Sequence, residues 1–137
     1  MEKKFVELWD KNKDTLSNWF SDNVMDYDYS DIVKKVFELV LSTNDYGCEF
    51  DVENMTTIDN GDYQGTQIFI IPIKTYQPAE YEHAVTHQSY GSCSGCDALE
   101  SITNYGYDKP NDEQIKDLMN LALHLVQNAK FLYESEW

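Results

Sequence analysis

Two cysteines, Cys93 and Cys96, stand in the stretch SYGSCSGCD, residues 89–97, and raise the first chemical question of this chain. A Cys-x-x-Cys pair serves one of three ends: it closes an internal disulfide, supplies half of a tetrahedral zinc site, or packs as two small apolar side chains in a turn. A zinc site would draw on His83 and His87 upstream, with Cys48 as a distant further ligand. The residues around the histidines alternate as in a strand. At ~3.3 Å rise per residue, side chains four apart share a face but lie about 13 Å from each other, too far to share an ion. The candidate metal set is then Cys93, Cys96 and His87, one knuckle where structural zinc sites usually show two.

For thiol chemistry, a helix starting after the motif favours a thiolate at its N-terminus through the helix dipole. A strand running into Cys-x-x-Cys and then a helix is similar to the thioredoxin arrangement. The βα unit that should precede the motif is absent, no proline follows at a suitable distance, and Asp97 sets a negative charge beside Cys96 that raises a thiol pKa. A structural turn explains the most residues. Ser94 caps a short helix, Asp97 three positions on completes a Ser-x-x-Asp box, Gly91 and Gly95 permit tight turns, and Cys93 and Cys96 pack as small buried side chains. The expectation is a structural turn with no cofactor and no metal. The alternative is a metal-binding or thiol-redox protein working through Cys93 and Cys96.

The string YGSCSGCD resembles a motif of small proteins of tailed phages and their bacterial hosts, and Asp62-Tyr63-Gln64-Gly65 before an apolar strand resembles part of the same pattern. The resemblance covers roughly residues 61–102. It implies a setting, a phage or prophage protein working in the cytoplasm of a bacterial host cell, and carries no activity with it.

A second constellation is DYDYSD, residues 26–31, with acids at alternate positions as in a calcium loop. Such a loop needs glycine at its sixth position and glutamate at its twelfth; Asp31 and Phe37 stand there. The segment reads instead as the lead-in to a helix, and Asp26, Tyr27, Asp28, Tyr29 and Asp31 form a candidate protein-binding surface, since tyrosine is favoured at interfaces. No catalytic triad and no Gly-x4-Gly-Lys phosphate loop occurs, so the chain is not expected to be an enzyme.

Charge narrows the partners. Twenty-five acidic residues against ten basic ones leave a formal net charge of −15. That field repels nucleic-acid phosphates and anionic lipid heads, so direct nucleic-acid binding and membrane binding are not expected. The expected partner is a basic protein. The specific form is a small acidic phage-type protein that binds a basic surface of a host or phage protein, as an inhibitor by charge mimicry of nucleic acid.

The elements that must position these residues follow from periodicity. The 137 residues, 42% hydrophobic, suit one domain over 1–137 with one core. No stretch reaches the ~18 apolar residues of a membrane span, and the N-terminus lacks the apolar centre of a signal peptide. Phe5, Leu8, Trp9, Leu16, Trp19 and Phe20 mark a helix from Glu2 to about Ser21, interrupted at Asn12; Ile32, Val33, Val36, Phe37 and Val40 mark a second, capped by Asp28 or Ser30, through Leu41. The period then becomes two. Phe50, Val52, Thr56 and Ile58 predict a strand, Asn60-Gly61 a hairpin turn, Tyr63–Lys74 a central strand covered on both faces, and Tyr81–Tyr90 a third strand. A short helix from about Asp97 to Asn104 and a last one opened by Asn111 with Gln114, striped from Ile115 to Tyr133, complete the chain. The fold class is α+β: a three-stranded antiparallel meander with two N-terminal and two C-terminal helices, α-α-β-β-β-α-α.

Overall fold

A computed structural model describes residues 2–42, 49–61, 65–75, 77–79, 82–91, 97–103 and 108–131. Helix α1 spans Glu2–Asp22 and α2 spans Tyr29–Lys35. The strands are β1 Thr56–Asp59, β2 Gly65–Pro72, β3 His83–Tyr90 and β4 Lys130–Phe131; α3 spans Ala98–Thr103 and α4 Asp112–Asn128. The protein is α+β, with an antiparallel sheet in the order β1-β2-β3-β4. The sheet thus has four strands rather than the expected three. The striped last helix stops at Asn128, short of the expected Tyr133. The chain bends at the buried Ala129, and Lys130 and Phe131 pair with Val85 and Ala84.

Both caps that periodicity located are formed. Asp28 accepts the Asp31 amide while the Asp31 carboxylate accepts the Asp28 amide; Asn111 and Gln114 do the same at α4. Each box satisfies two orphan amides of a first helical turn. Helix α2 runs on into a π-helical turn, Val36–Leu41, in which Val36, Phe37, Val40 and Leu41 are buried. Two side chains serve the carbonyls that this wider turn leaves awkwardly placed. Asn12 of α1 donates to the Val40 carbonyl at 2.9 Å, and the Ser42 hydroxyl donates to the Phe37 carbonyl at 2.6 Å while accepting the Phe50 amide at 2.9 Å. Asn12 interrupts the apolar stripe of α1 because it holds the neighbouring helix.

The core gathers rings from distant parts of the chain. Phe5, Phe37, Phe50 and Phe131 lie with centroids 4.9–6.5 Å apart, spacings at which edge-to-face and tilted pairs attract. Ala84 and Thr86 of β3 and Phe69 and Ile71 of β2 face these helices and are buried. The Thr86 hydroxyl donates to the Leu125 carbonyl of α4 at 2.7 Å, so the one polar residue on that strip is satisfied.

Three strand expectations need correction. The predicted first strand through Phe50 and Val52 is broken: Phe50 makes an isolated bridge to Ile73, Val52–Asn54 form a 3-10 turn, and regular pairing starts at Thr56. Every residue of β1, the edge strand of the sheet, is exposed, Ile58 at 46%. Second, Asn60-Gly61 do open a hairpin, but β1 and β2 pair Asp59 with Gln67, so the chain reverses over residues 60–66. The Asn60 side chain accepts the Thr66 amide at 2.7 Å across that reversal. Third, β2 is central but covered on one face only; Ile68 and Ile70 on the other face stay half-buried.

Gly65, the first residue of β2, is required by space. A Cβ there would lie 2.9 Å from both the Asn60 side-chain oxygen and the Gly61 Cα. Backbone blocks one of those directions, so Gly65→Ala is expected to cost about 1–3 kcal/mol through forced displacement of the turn. Thermal unfolding of the variant checks this; an unchanged Tm would show that the turn yields freely.

Candidate functional site

The two stretches singled out by sequence meet. Tyr27, Asp28 and Tyr29 from the α2 lead-in, Tyr90 and Gly91 from the end of β3, and Asp97, Leu99 and Glu100 at the start of α3 line one cavity of about 340 Å³. Its floor is a hydrogen-bonded carboxylate. Asp97, 7% exposed, accepts the Tyr29 hydroxyl at 2.6 Å and the amides of Leu99 at 3.0 Å and Glu100 at 3.2 Å on one oxygen, and the Gly91 amide at 2.9 Å on the other. The Leu99 amide also donates to the Tyr29 oxygen at 2.9 Å. A carboxylate with this many donors is among the few polar groups that burial does not penalise.

This geometry corrects the expected cap. Helix α3 begins at Ala98, and the Asp97 side chain itself takes the amides of the first turn, the role assigned to Ser94 from sequence. The Asp97 carbonyl also accepts the Ser101 amide, as an N-cap carbonyl does. By holding the Gly91 amide, Asp97 joins the end of β3 to the start of α3. Cys93, Ser94, Gly95 and Cys96, together with Cys48, lie outside the described residues. His87 is exposed on the outer face of β3 and His83, four residues back on the same face, is half-buried with its Nδ1 2.8 Å from the Ala79 carbonyl. Among the described residues no three acidic, histidine or cysteine side chains gather as a metal-holding group.

The candidate binding surface is also partly corrected. Asp26, Asp28 and Asp31 are exposed as expected, but Tyr29 is 5% exposed and points inward to Asp97. Burial, followed by the bond to Asp97, drives its hydroxyl pKa well above the ordinary value, so the phenol remains a donor. Sequence did not show this because tyrosine is amphipathic, and its partner lies 68 residues away. Tyr27 is half-buried against Trp19 and Phe20, at centroid distances of 5.2 and 5.9 Å. Its hydroxyl oxygen is buried without a hydrogen-bond partner, and burial, then the Asp26 charge, push its pKa up to about 12.

Two further cavities continue the first along α2. One of about 270 Å³ shares Tyr27 with it and is lined by Trp19, Asp26, Asp31, Lys35, Glu38 and Glu53 among others. The next, about 190 Å³, shares Glu38 and Glu53 and adds Glu49, Asp51 and Lys74. Together they carry Asp26, Asp28, Asp31, Glu38, Glu49, Asp51, Glu53 and Glu100, all exposed or half-exposed, against Lys34, Lys35 and Lys74. Lys35–Glu38 and Lys74–Glu49 are paired at 3.4 Å at the surface, where such pairs are weak.

The two tyrosines should respond oppositely to loss of their hydroxyls. Tyr29→Phe removes a donor from a buried carboxylate and is expected to destabilise by about 1.5–3 kcal/mol, whereas Tyr27→Phe relieves a buried hydroxyl of its unmet bond and is expected to be neutral or stabilising by up to ~1 kcal/mol. Denaturant unfolding of both variants decides. At the hairpin, the Tyr90 hydroxyl donates to Asp59 at 2.5 Å, and this bond, followed by that from the Gly61 amide, holds the exposed Asp59 carboxyl below its usual pKa. A depressed pKa stabilises the fold above the unfolded value and loses that effect as pH falls through the folded one. The Gly61 amide resonance should therefore report a step whose midpoint lies below the ordinary aspartate value, a step that Asp59→Asn abolishes. Compared with family models, with curated proteins and with solved structures, the chain matches none.

Proposed function

We propose that this chain is a non-catalytic binding protein whose acidic band docks on a basic surface of a protein partner. The observation that carries the proposal is that band: eight exposed or half-exposed carboxylates around three neighbouring cavities that share lining residues, faced by three lysines of which two are tied in weak pairs. The charge is also unevenly distributed along the chain. Residues 36–108 contain twelve acidic residues and a single lysine, Lys74, while the other nine lysines lie outside that stretch. A surface charged merely for dispersal needs no such segregation; a band of one sign raises the local concentration of oppositely charged partners and orients them. In a phage or prophage setting, within the bacterial cytoplasm, the partner is a host or phage nucleic-acid-binding protein, and the band occupies the groove that phosphates otherwise fill. Such a protein inhibits its target by occupancy.

Capture from a bacterial lysate at low salt, followed by titration of the isolated complex, tests the proposal. The dissociation constant should rise at least roughly tenfold between low and moderate salt, as screening of exposed charge requires, and duplex DNA should compete. Reversing Glu53 to lysine should weaken the complex more than the equal charge change of reversing the exposed Asp117 of α4, which lies off the band. Affinity indifferent to salt, or equal effects of the two reversals, would overturn docking by charge.

A further inference from the structure

We propose that the cavity beside Trp19 is a seat for an arginine side chain of the basic partner, a reading that rests on the acidic docking band just described. Its distinguishing feature is a cation already in place. The Lys35 ammonium lies 5.5 Å from the centre of the Trp19 ring and 3.4 Å from the Glu38 carboxylate. Tyr27 packs against Trp19, with centroids 5.2 Å apart, and helps to fix the indole in position. A π face on one side and a carboxylate on the other is the environment that recognises a cation, and tryptophan is the best of the aromatic faces.

Lys35 is a weak occupant of this place. Its side chain keeps 30% of its surface in water, and 3.4 Å is long for a charge-assisted bond. Ammonium is compact and strongly hydrated; guanidinium is planar, sheds water more easily, stacks on an indole and meets a carboxylate with two parallel N–H donors. About 270 Å³ lies open beside Lys35, with Asp26, Asp31 and Glu53 on its walls. A partner arginine entering there takes the ring face and Glu38, and the flexible lysine stem swings into solvent. The acidic band alone attracts any basic surface; the aromatic seat adds a preference for arginine over lysine within it.

Calorimetric titration of the full chain with nonapeptides of arginine and of lysine, at equal charge and low salt, tests the seat. The arginine peptide should bind about fivefold more tightly, a preference of cation–π size. Lys35→Ala should strengthen arginine-peptide binding about threefold beyond Lys74→Ala, which removes the same charge from the same band. Trp19→Leu should bring the arginine peptide down to the lysine peptide; because Trp19 also packs in the fold, its circular dichroism is checked against wild type, and the Lys35/Lys74 comparison stands without it. If both peptides bind equally and the two lysine variants are indistinguishable, the seat is refuted while acidic docking survives. If neither peptide binds, both fall.

Discussion

The Asp97 carboxylate ties together the parts of this protein that sequence leaves far apart. Four donors converge on its two oxygens, from α2, from the end of β3 and from the first turn of α3. A buried carboxyl left with fewer partners would be a liability, since the desolvation of a charged group is large and only near-complete hydrogen bonding offsets it. Its satisfaction is therefore a constraint on three elements at once. The α2 lead-in must bring Tyr29 inward, β3 must end so that the Gly91 amide faces the helix, and α3 must begin at Ala98. The cavity where the two sequence constellations meet follows from these three conditions.

A second level of organisation is electrostatic. Lysines crowd the first 35 residues and the last 29, while the stretch from 36 to 108 has one. The fold places six of the twelve acidic residues of that stretch, together with the acidic lead-in of α2, around neighbouring cavities beside the helix. Aromatic side chains, Trp19, Tyr27 and Tyr90, lie between the carboxylates there, so the surface offers apolar contact beside charge.

Much of this was legible in the residues. Helix caps at Asp28 and Asn111 were written in side chains three apart, and the α+β class followed from a change of period from 3.6 to two. What stayed hidden depended on partners distant in the chain. Asn12 read as a flaw in a stripe until its bond to Val40 explained it. Phe50 and Val52 carried the alternation of a strand, but after the single bridge from Phe50 to Ile73 the chain coils into the 3-10 turn Val52–Asn54 before pairing resumes. Strand β4 has two residues, too few for any period to register, and exists because Ala129 bends the chain back toward β3. Tyr27 and Tyr29 stand two apart in the same acidic segment, DYDYSD. Only tertiary structure separates the one that binds a buried carboxylate from the one whose hydroxyl has nothing to bind.

The bond from Tyr90 to Asp59 has a wider effect than its place at the sheet end suggests. Tyr90 pairs with Gly65 of the intervening strand, and its hydroxyl reaches past that strand to Asp59 of β1. Tyr90 is also covalently joined to Gly91, which Asp97 holds, and Asp97 in turn holds Tyr29. An unbroken relay thus runs from the outermost strand, through a single turn, to the second helix. The sheet edge and the cavity therefore share one support, because the Tyr90–Gly91 junction is bonded to Asp59 on one side and to Asp97 on the other.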